Sequence, residues 1–184
     1  MDADVTSKTE LRARMRALRR RLAAEAPDAA ARAAANLPAL GGFEVYGLYH
    51  PLGSELDPAA IRIPGARRAL PVVIAREAPL VFRLHEPGDP LAPDALGVPA
   101  PDASCPEALP DVLFTPVLAF DRRGGRLGQG GGHYDRTIAA LRARTAVMVI
   151  GVAYAGQEVA DIPLEPHDAR LDAILTETEF TWVR

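Results

Sequence analysis

The sequence predicts an α/β fold: a single-domain, three-layer, Rossmann-like arrangement over residues 1–184, with a mostly parallel central sheet flanked by helices. Three observations carry that prediction. Six apolar runs of four to six residues recur between Gly, Pro and Asp, which is the length and punctuation of strands. One of them opens DVLFTPVLAF, Asp111 to Phe120, apolar almost without a break, as expected of a strand buried on both faces. A loop, a helical segment and another apolar run follow it. Strand, helix, strand is the crossover that builds parallel sheets.

The elements follow in order. Ser7-Lys8-Thr9-Glu10 is a capping box, with Ser7 closing the helix start and Glu10 reaching back three residues. Leu11, Met15, Leu18 and Leu22 then recur at spacings of four, three and four, one apolar stripe on a helix. The rest of this helix is basic: Lys8, Arg12, Arg14, Arg16, Arg19, Arg20 and Arg21. Such a face is either solvated surface or the source of one or two charges that reach a phosphate. An Ala-rich helix spans Asp28 to Leu37. VYGLY (45–49), RALPVV (68–73), LVFRL (80–84), DVLFTP (111–116), VMVIGV (147–152) and AILT (173–176) are the strands. Leu56 to Arg68 leaves room for only a turn or two of helix. Residues 85–110 hold seven prolines and read as a long ordered loop within the domain. Thr137 to Arg144 is the crossover helix.

Bulk properties exclude several classes. A chain of this size buries about 70% of its unfolded surface, enough for a core without staples. The single Cys105 cannot form an internal disulfide and fits a reducing compartment. No apolar run reaches the roughly 18 residues of a membrane span, and the polar, then basic start lacks the apolar segment of a secretory signal. The expectation is a cytoplasmic protein. With a net charge of −3, and no aromatics interleaved with the basic helix, the chain is not built to bind nucleic acid.

The stretch RLGQGGGHYDR, residues 126–136, places four glycines within five positions: Gly128, Gly130, Gly131 and Gly132. Glycine permits positive φ and close approach of the backbone to a ligand. Between a buried strand and a helix start, such a loop aims several N–H groups, and the positive end of the helix dipole, at one anion. Arg126 and Arg136 flank it and suit phosphate oxygens. The loop is neither a Walker A motif nor a dinucleotide fingerprint, because His133 and Tyr134 stand where those need Lys, Ser, Thr or a further Gly.

The whole string PVLAFDRRGGRLGQGGGHYDR, Pro116 to Arg136, closely resembles the signature of the 5-formyltetrahydrofolate cyclo-ligase family. Lys8 and Arg12 match that family's N-terminal Lys-x-x-x-Arg. Tyr49-His50-Pro51 and Gly53-Ser54-Glu55-Leu56-Asp57 resemble its strand and following acidic turn. Pro163, Glu165, His167, Asp168, Leu171 and Asp172 resemble its C-terminal segment.

The resemblance implies ATP- and Mg²⁺-dependent conversion of 5-formyltetrahydrofolate to 5,10-methenyltetrahydrofolate. Phosphorylation of the formyl oxygen would turn a poor leaving group into a good one, and folate N10 would then close the ring. By the same resemblance Lys8 and Arg126 are catalytic. ATP is held by Lys8, Arg12, Arg126, Leu127, Gly128, Gln129, Gly130, Gly131, Gly132, His133 and Tyr134. His50, Glu55, Gly130 and Tyr134 contact the folate, and Asp135 and Asp168 hold the metal. Imidazole suits hard magnesium poorly, so His167 is expected to be structural and Asp172 a strand-entry residue. The expected state is a monomer. Three positions depart from the family pattern: His133 replaces a common Tyr, Gln129 a basic or bulky residue, and Ala100 a Glu between Pro99 and Pro101. These departures motivate one alternative, a folate- or nucleotide-binding regulator that keeps the fold without turnover.

Overall fold

The central sheet is assembled around the run that the sequence marks as doubly buried. The computed structural model describes residues 7–183. In chain order it contains α1 (Lys8–Glu25), α2 (Ala29–Asn36), β1 (Val45–Gly47), β2 (Arg67–Val72), β3 (Val81–Leu84), β4 (Ala92–Pro93) and β5 (Pro99–Ala100). Then come β6 (Val112–Pro116), β7 (Ala119–Phe120), β8 (Arg126–Leu127), α3 (His133–Arg142), β9 (Met148–Val152), β10 (Ala173–Leu175) and β11 (Phe180–Trp182). Seven strands form the main sheet in the order β11-β10-β9-β6-β1-β2-β3. The inner five run parallel; β3 and β11 are antiparallel edges.

Alternation of side chains along the inner strands divides the core into two faces. Tyr46, Val112, Phe114 and Ile150 point to one face, where Ala29 and Ala33 of α2 and Leu22 of α1 cover them. Val45, Leu113, Val149 and Ile174 point to the other, under Ile138 and Leu141 of α3. Parallel register places Phe114 beside Ile150 and Tyr46 beside Val112, so each layer is continuous across strands. A third cluster joins Leu11 and Met15 of α1 to Leu118, Ala119 and Leu127 of the β7–β8 hairpin. Each fully buried apolar side chain contributes roughly 2 kcal/mol, whereas an exposed ion pair contributes less than about 1. The sheet, not the charged surface, therefore sets the architecture. Helices on both faces give the three layers expected from the sequence.

The α1 start is the predicted capping box: Glu10 N donates to Ser7 Oγ, and Ser7 N donates to Glu10 Oε2 at 3.0 Å. All six sequence-derived strands are present, and Asp28 stands at the N-cap position of α2 without a side-chain capping hydrogen bond. Some details differ. Strand β1 ends at Gly47, so Leu48 and Tyr49 already belong to the following loop. The crossover helix runs His133–Arg142, four residues earlier than expected at its start, because Gly132 in the left-handed region (φ 66°) turns the chain directly into it. Leu56 to Arg68 forms turns and the start of β2, with no helix; two prolines, Pro58 and Pro64, punctuate it. The 85–110 loop carries the small β4–β5 ladder. The β7–β8 hairpin stands between β6 and the glycine loop, and the antiparallel β11 closes the sheet.

Chain order reverses between β1 and β6. From β1 the chain builds outward through β2 and β3; from β6 it builds the other way through β9 and β10. A crevice opens at the carboxyl ends of strands flanking such a reversal, which is where open α/β sheets place ligands.

Candidate active site

A cleft of about 540 Å³ lies at that reversal. Tyr49 and His50 reach it from the end of β1, Pro116 and Val117 from the end of β6, and residues 128–134 from the glycine loop and the start of α3. A second opening of about 520 Å³ lies across the same loop, so Gly130, Gly131, Gly132 and Asp135 border both.

The glycine loop is held from outside by guanidinium groups. Arg12 Nε donates to Gly128 O at 3.0 Å, and Arg16 donates to Gln129 Oε1 at 2.9 Å and to Gln129 O at 3.3 Å. Arg136 Nη2 donates to Gly131 O at 2.9 Å and to Arg76 O at 3.0 Å, so that side chain is committed to carbonyls. With four of the five carbonyls engaged, the amides are left over: none from Gly128 to Gly132 donates to a described residue. The first-turn amides of α3 add to them. Among the described residues this leaves a row of unpaired N–H groups, an arrangement suited to an anion.

Not every glycine is there for the same reason. Gly130 (φ 104°) and Gly132 (φ 66°) occupy conformations that L side chains avoid. Gly128 has no such constraint, and a Cβ there would meet nothing nearer than Arg126 Nη1 at 3.9 Å.

Arg126 is buried beneath the loop. Its Nη2 lies 2.5 Å from Asp135 Oδ1, and its Nε donates to Ala169 O at 3.0 Å. Burial works to lower its pKa, opposed by the Asp135 and Asp168 carboxylates. Asp121, also buried, accepts from Arg123 N, Gly125 N and Ile162 N, which fixes the hairpin that carries Arg126. Lys8 Nζ lies 2.6 Å from Asp168 Oδ2 and 3.5 Å from Glu165 Oε1. Burial alone would raise the Asp168 carboxyl; the Lys8 ammonium and the Glu165 amide outweigh it and hold it below the ordinary value. Among the described residues, Asp135 Oδ2 and Asp168 Oδ1 accept no hydrogen bond.

Glu55 lies at the other end of the cleft with its side chain 7% exposed. Burial raises its pKa, countered by the Leu52 amide and by Arg19. Tyr134 packs against the α3-side core and lines the cleft; burial raises its hydroxyl pKa strongly.

A model of the 5-formyltetrahydrofolate cyclo-ligase family matches residues 4–177. The chain belongs to the 5-formyltetrahydrofolate cyclo-ligase family. It is 36% identical over 152 residues to a protein of that name from Mycolicibacterium smegmatis, covering 74% of this chain and 77% of the relative. It is 39% identical over 100 residues to the one from Haemophilus influenzae, where the match spans 52% of this chain and 53% of the relative. The solution structure of 5,10-methenyltetrahydrofolate synthetase from Aquifex aeolicus superposes with a TM-score of 0.73 at 27% identity. That superposition covers 96% of this chain and 93% of the other.

Against the cyclo-ligase signature, the structure brings Lys8, Arg12, Arg126, the 128–134 loop, Asp135 and Asp168 around one cleft, with His50 and Glu55 also lining it. Leu127 also borders it, though its side chain is 2% exposed and belongs to the core beside Leu11 and Met15. His167, expected to be structural, has a side chain 71% exposed and lies beside Glu165. Asp172 is the expected strand-entry residue, accepting from Val149 N at 2.8 Å. Ala100 is buried in β5 and is not part of the cleft lining.

Sequence reasoning missed Arg16 and Arg19 as named contributors. Their signal was present: Lys8, Arg12, Arg16 and Arg19 follow at four, four and three, on one side of α1. It also missed Pro71, Val73, Asp94 and Leu96, which line the cleft from β2 and the 85–110 loop. No local pattern announces those, since Asp94 reaches the site by accepting from Val73 N at 2.9 Å, twenty-one residues away.

Proposed function

We propose that this cleft converts 5-formyltetrahydrofolate to 5,10-methenyltetrahydrofolate with the consumption of ATP. The observation that carries the reading is the glycine-loop cradle, with its amides unpaired and Lys8, Arg12 and Arg126 around it. That end of the cleft suits a triphosphate. The Glu55 end, flanked by Tyr49, Tyr134 and His50, suits the folate. The chemistry needs exactly this two-ended arrangement: the γ-phosphoryl passes to the formyl oxygen, N10 attacks the activated carbon, and phosphate leaves carrying that oxygen. Little covalent work falls to the protein, so positioning and charge stabilisation are its contribution.

Lys8 and Arg126 neutralise the transferring phosphoryl group, while the amides of residues 128–132 orient the chain of phosphates. Asp135 and Asp168 fit magnesium, because each offers an oxygen without a hydrogen bond among the described residues, beside the phosphate cradle, and hard cations take oxygen ligands. When bound there, the ion would offset triphosphate charge. His167 is not assigned to it. The proposed working unit is a monomer.

The experiment mixes purified protein with 5-formyltetrahydrofolate, ATP and Mg²⁺ and follows the absorbance of the methenyl product, with an ATP-free control. ATP-dependent product is expected. Binding of both ligands by folded protein with no product would favour the non-catalytic regulator. Ala100, which motivates that alternative, lies outside the cleft lining.

A further inference from the structure

Arg19 is a guanidinium only 6% exposed, on a helix whose other arginines mostly reach water. Burying such a group costs free energy unless it is paired, so its partners identify its purpose. Among the described residues those partners are two, both in the turn after β1: Arg19 Nε donates to Ser54 Oγ at 3.2 Å, and Nη1 lies 3.4 Å from Glu55 Oε1. The other Glu55 oxygen accepts from Leu52 N at 3.0 Å. The carboxylate is thus clamped between its own turn and α1.

The two sides of this clamp differ in rigidity. The Glu55 turn contains Gly53 at φ 60° and exposed Leu52. Arg19 sits on a capped 18-residue helix seated by Met15 and Leu22. Leu22 packs so closely on the turn at Gly156 that a Cβ there would lie 3.0 Å from it. Arg19 thus holds Glu55 from a helix anchored in the core.

We propose that Arg19 is a positioning residue for the folate end of the cleft, holding the Glu55 side chain aimed at the substrate. This rests on the reading that Glu55 faces the folate. Among the described residues the groups facing Glu55 are Arg19 from α1, Tyr49 after β1 and Tyr134 from α3, and of these Arg19 alone brings positive charge. Burial already pushes the Glu55 carboxyl upward; without Arg19 it rises further and protonates at higher pH.

The test compares Arg19→Met and Arg19→Lys, each alone and with Glu55→Gln. Arg19→Met is expected to raise the KM for 5-formyltetrahydrofolate about tenfold, with kcat and the ATP KM within about twofold, a split that marks substrate binding. Its loss of folate affinity on acidification is expected to begin at higher pH than in the wild type. Arg19→Lys should recover most of the affinity. In the Glu55→Gln background Arg19→Met should add nothing. An unmoved acid limb overturns the proposal, as does an Arg19→Met loss that persists in full beside Glu55→Gln. Titration of the Glu55 carboxyl by ¹³C NMR, identified by its absence in Glu55→Gln, reads the same shift without turnover. If wild-type protein made no product, the reaction assigned above would fail, and this titration would still decide on Arg19: an upward shift supports it, no shift overturns it.

Discussion

Lys8 Nζ lies 2.6 Å from Asp168 Oδ2, which ties the first turn of α1 to a loop 160 residues further along the chain. The pair lines the cleft where we propose that the triphosphate binds. An ammonium beside a triphosphate acts on nucleotide binding before it acts on folate binding. Lys8→Ala is therefore expected to raise the ATP KM on the order of tenfold and the folate KM by much less, in steady-state kinetics with each substrate varied. The opposite order would place Lys8 on the folate side.

The same pair sets an acid limit. The Asp168 carboxyl is held below its ordinary value in the folded protein. Its contribution to stability is then present above the unfolded value, near 4, and is lost as pH falls through the lower folded value. Melting temperatures of wild type and Lys8→Ala should differ at pH 6 and converge below about pH 4. A difference that grows on acidification would contradict the assignment.

Asp135→Asn is expected to lower turnover on the order of 100-fold or more while the protein stays folded. An amide oxygen can still accept from Ala169 N, now 3.0 Å from Asp135 Oδ1, but it cannot serve as an anionic ligand. Circular dichroism melting alongside the cyclisation assay checks both halves. Normal ATP-dependent turnover by the folded variant would contradict the metal assignment.

The glycines of the loop separate conformation from ligand space. Gly132→Ala forces a Cβ onto φ 66° and into Arg136 Nη1 at 2.6 Å, so it should cost stability, about 1 kcal/mol or more. Gly128→Ala meets nothing within 3.8 Å of its Cβ, the nearest atom being at 3.9 Å, and should leave the melting temperature unchanged while weakening ATP binding. Calorimetric titration with ATP and thermal melting of both variants test this. Unchanged ATP affinity in Gly128→Ala would mean that no phosphate approaches there.

What the sequence made legible follows from how local each signal is. The strands of the sheet announced themselves because double burial leaves no polar alternation, as in Val112 to Phe114 and Val149 to Ile150. The capping box at Ser7 and Glu10 is a four-residue pattern and was readable as such. The glycine loop was visible for the same reason. Long-range placements were not: Arg19 meets Glu55 across 36 positions, and Asp94 meets Val73 only because the 85–110 loop folds back. The early start of α3 was hidden because His133 and Tyr134 lack the pattern of a helix start, and only the left-handed Gly132 decides it. The β7–β8 hairpin was hidden inside an apolar run that reads as one strand, broken in space at Val117 and Leu118.

The central claim is that the formyl oxygen leaves on the phosphate of ATP. Substrate labelled with ¹⁸O in the formyl group, turned over with ATP and Mg²⁺, tests it directly by mass spectrometry of the inorganic phosphate. One ¹⁸O in each phosphate released is the result the account predicts. Label appearing in water, with unlabelled phosphate, would contradict it.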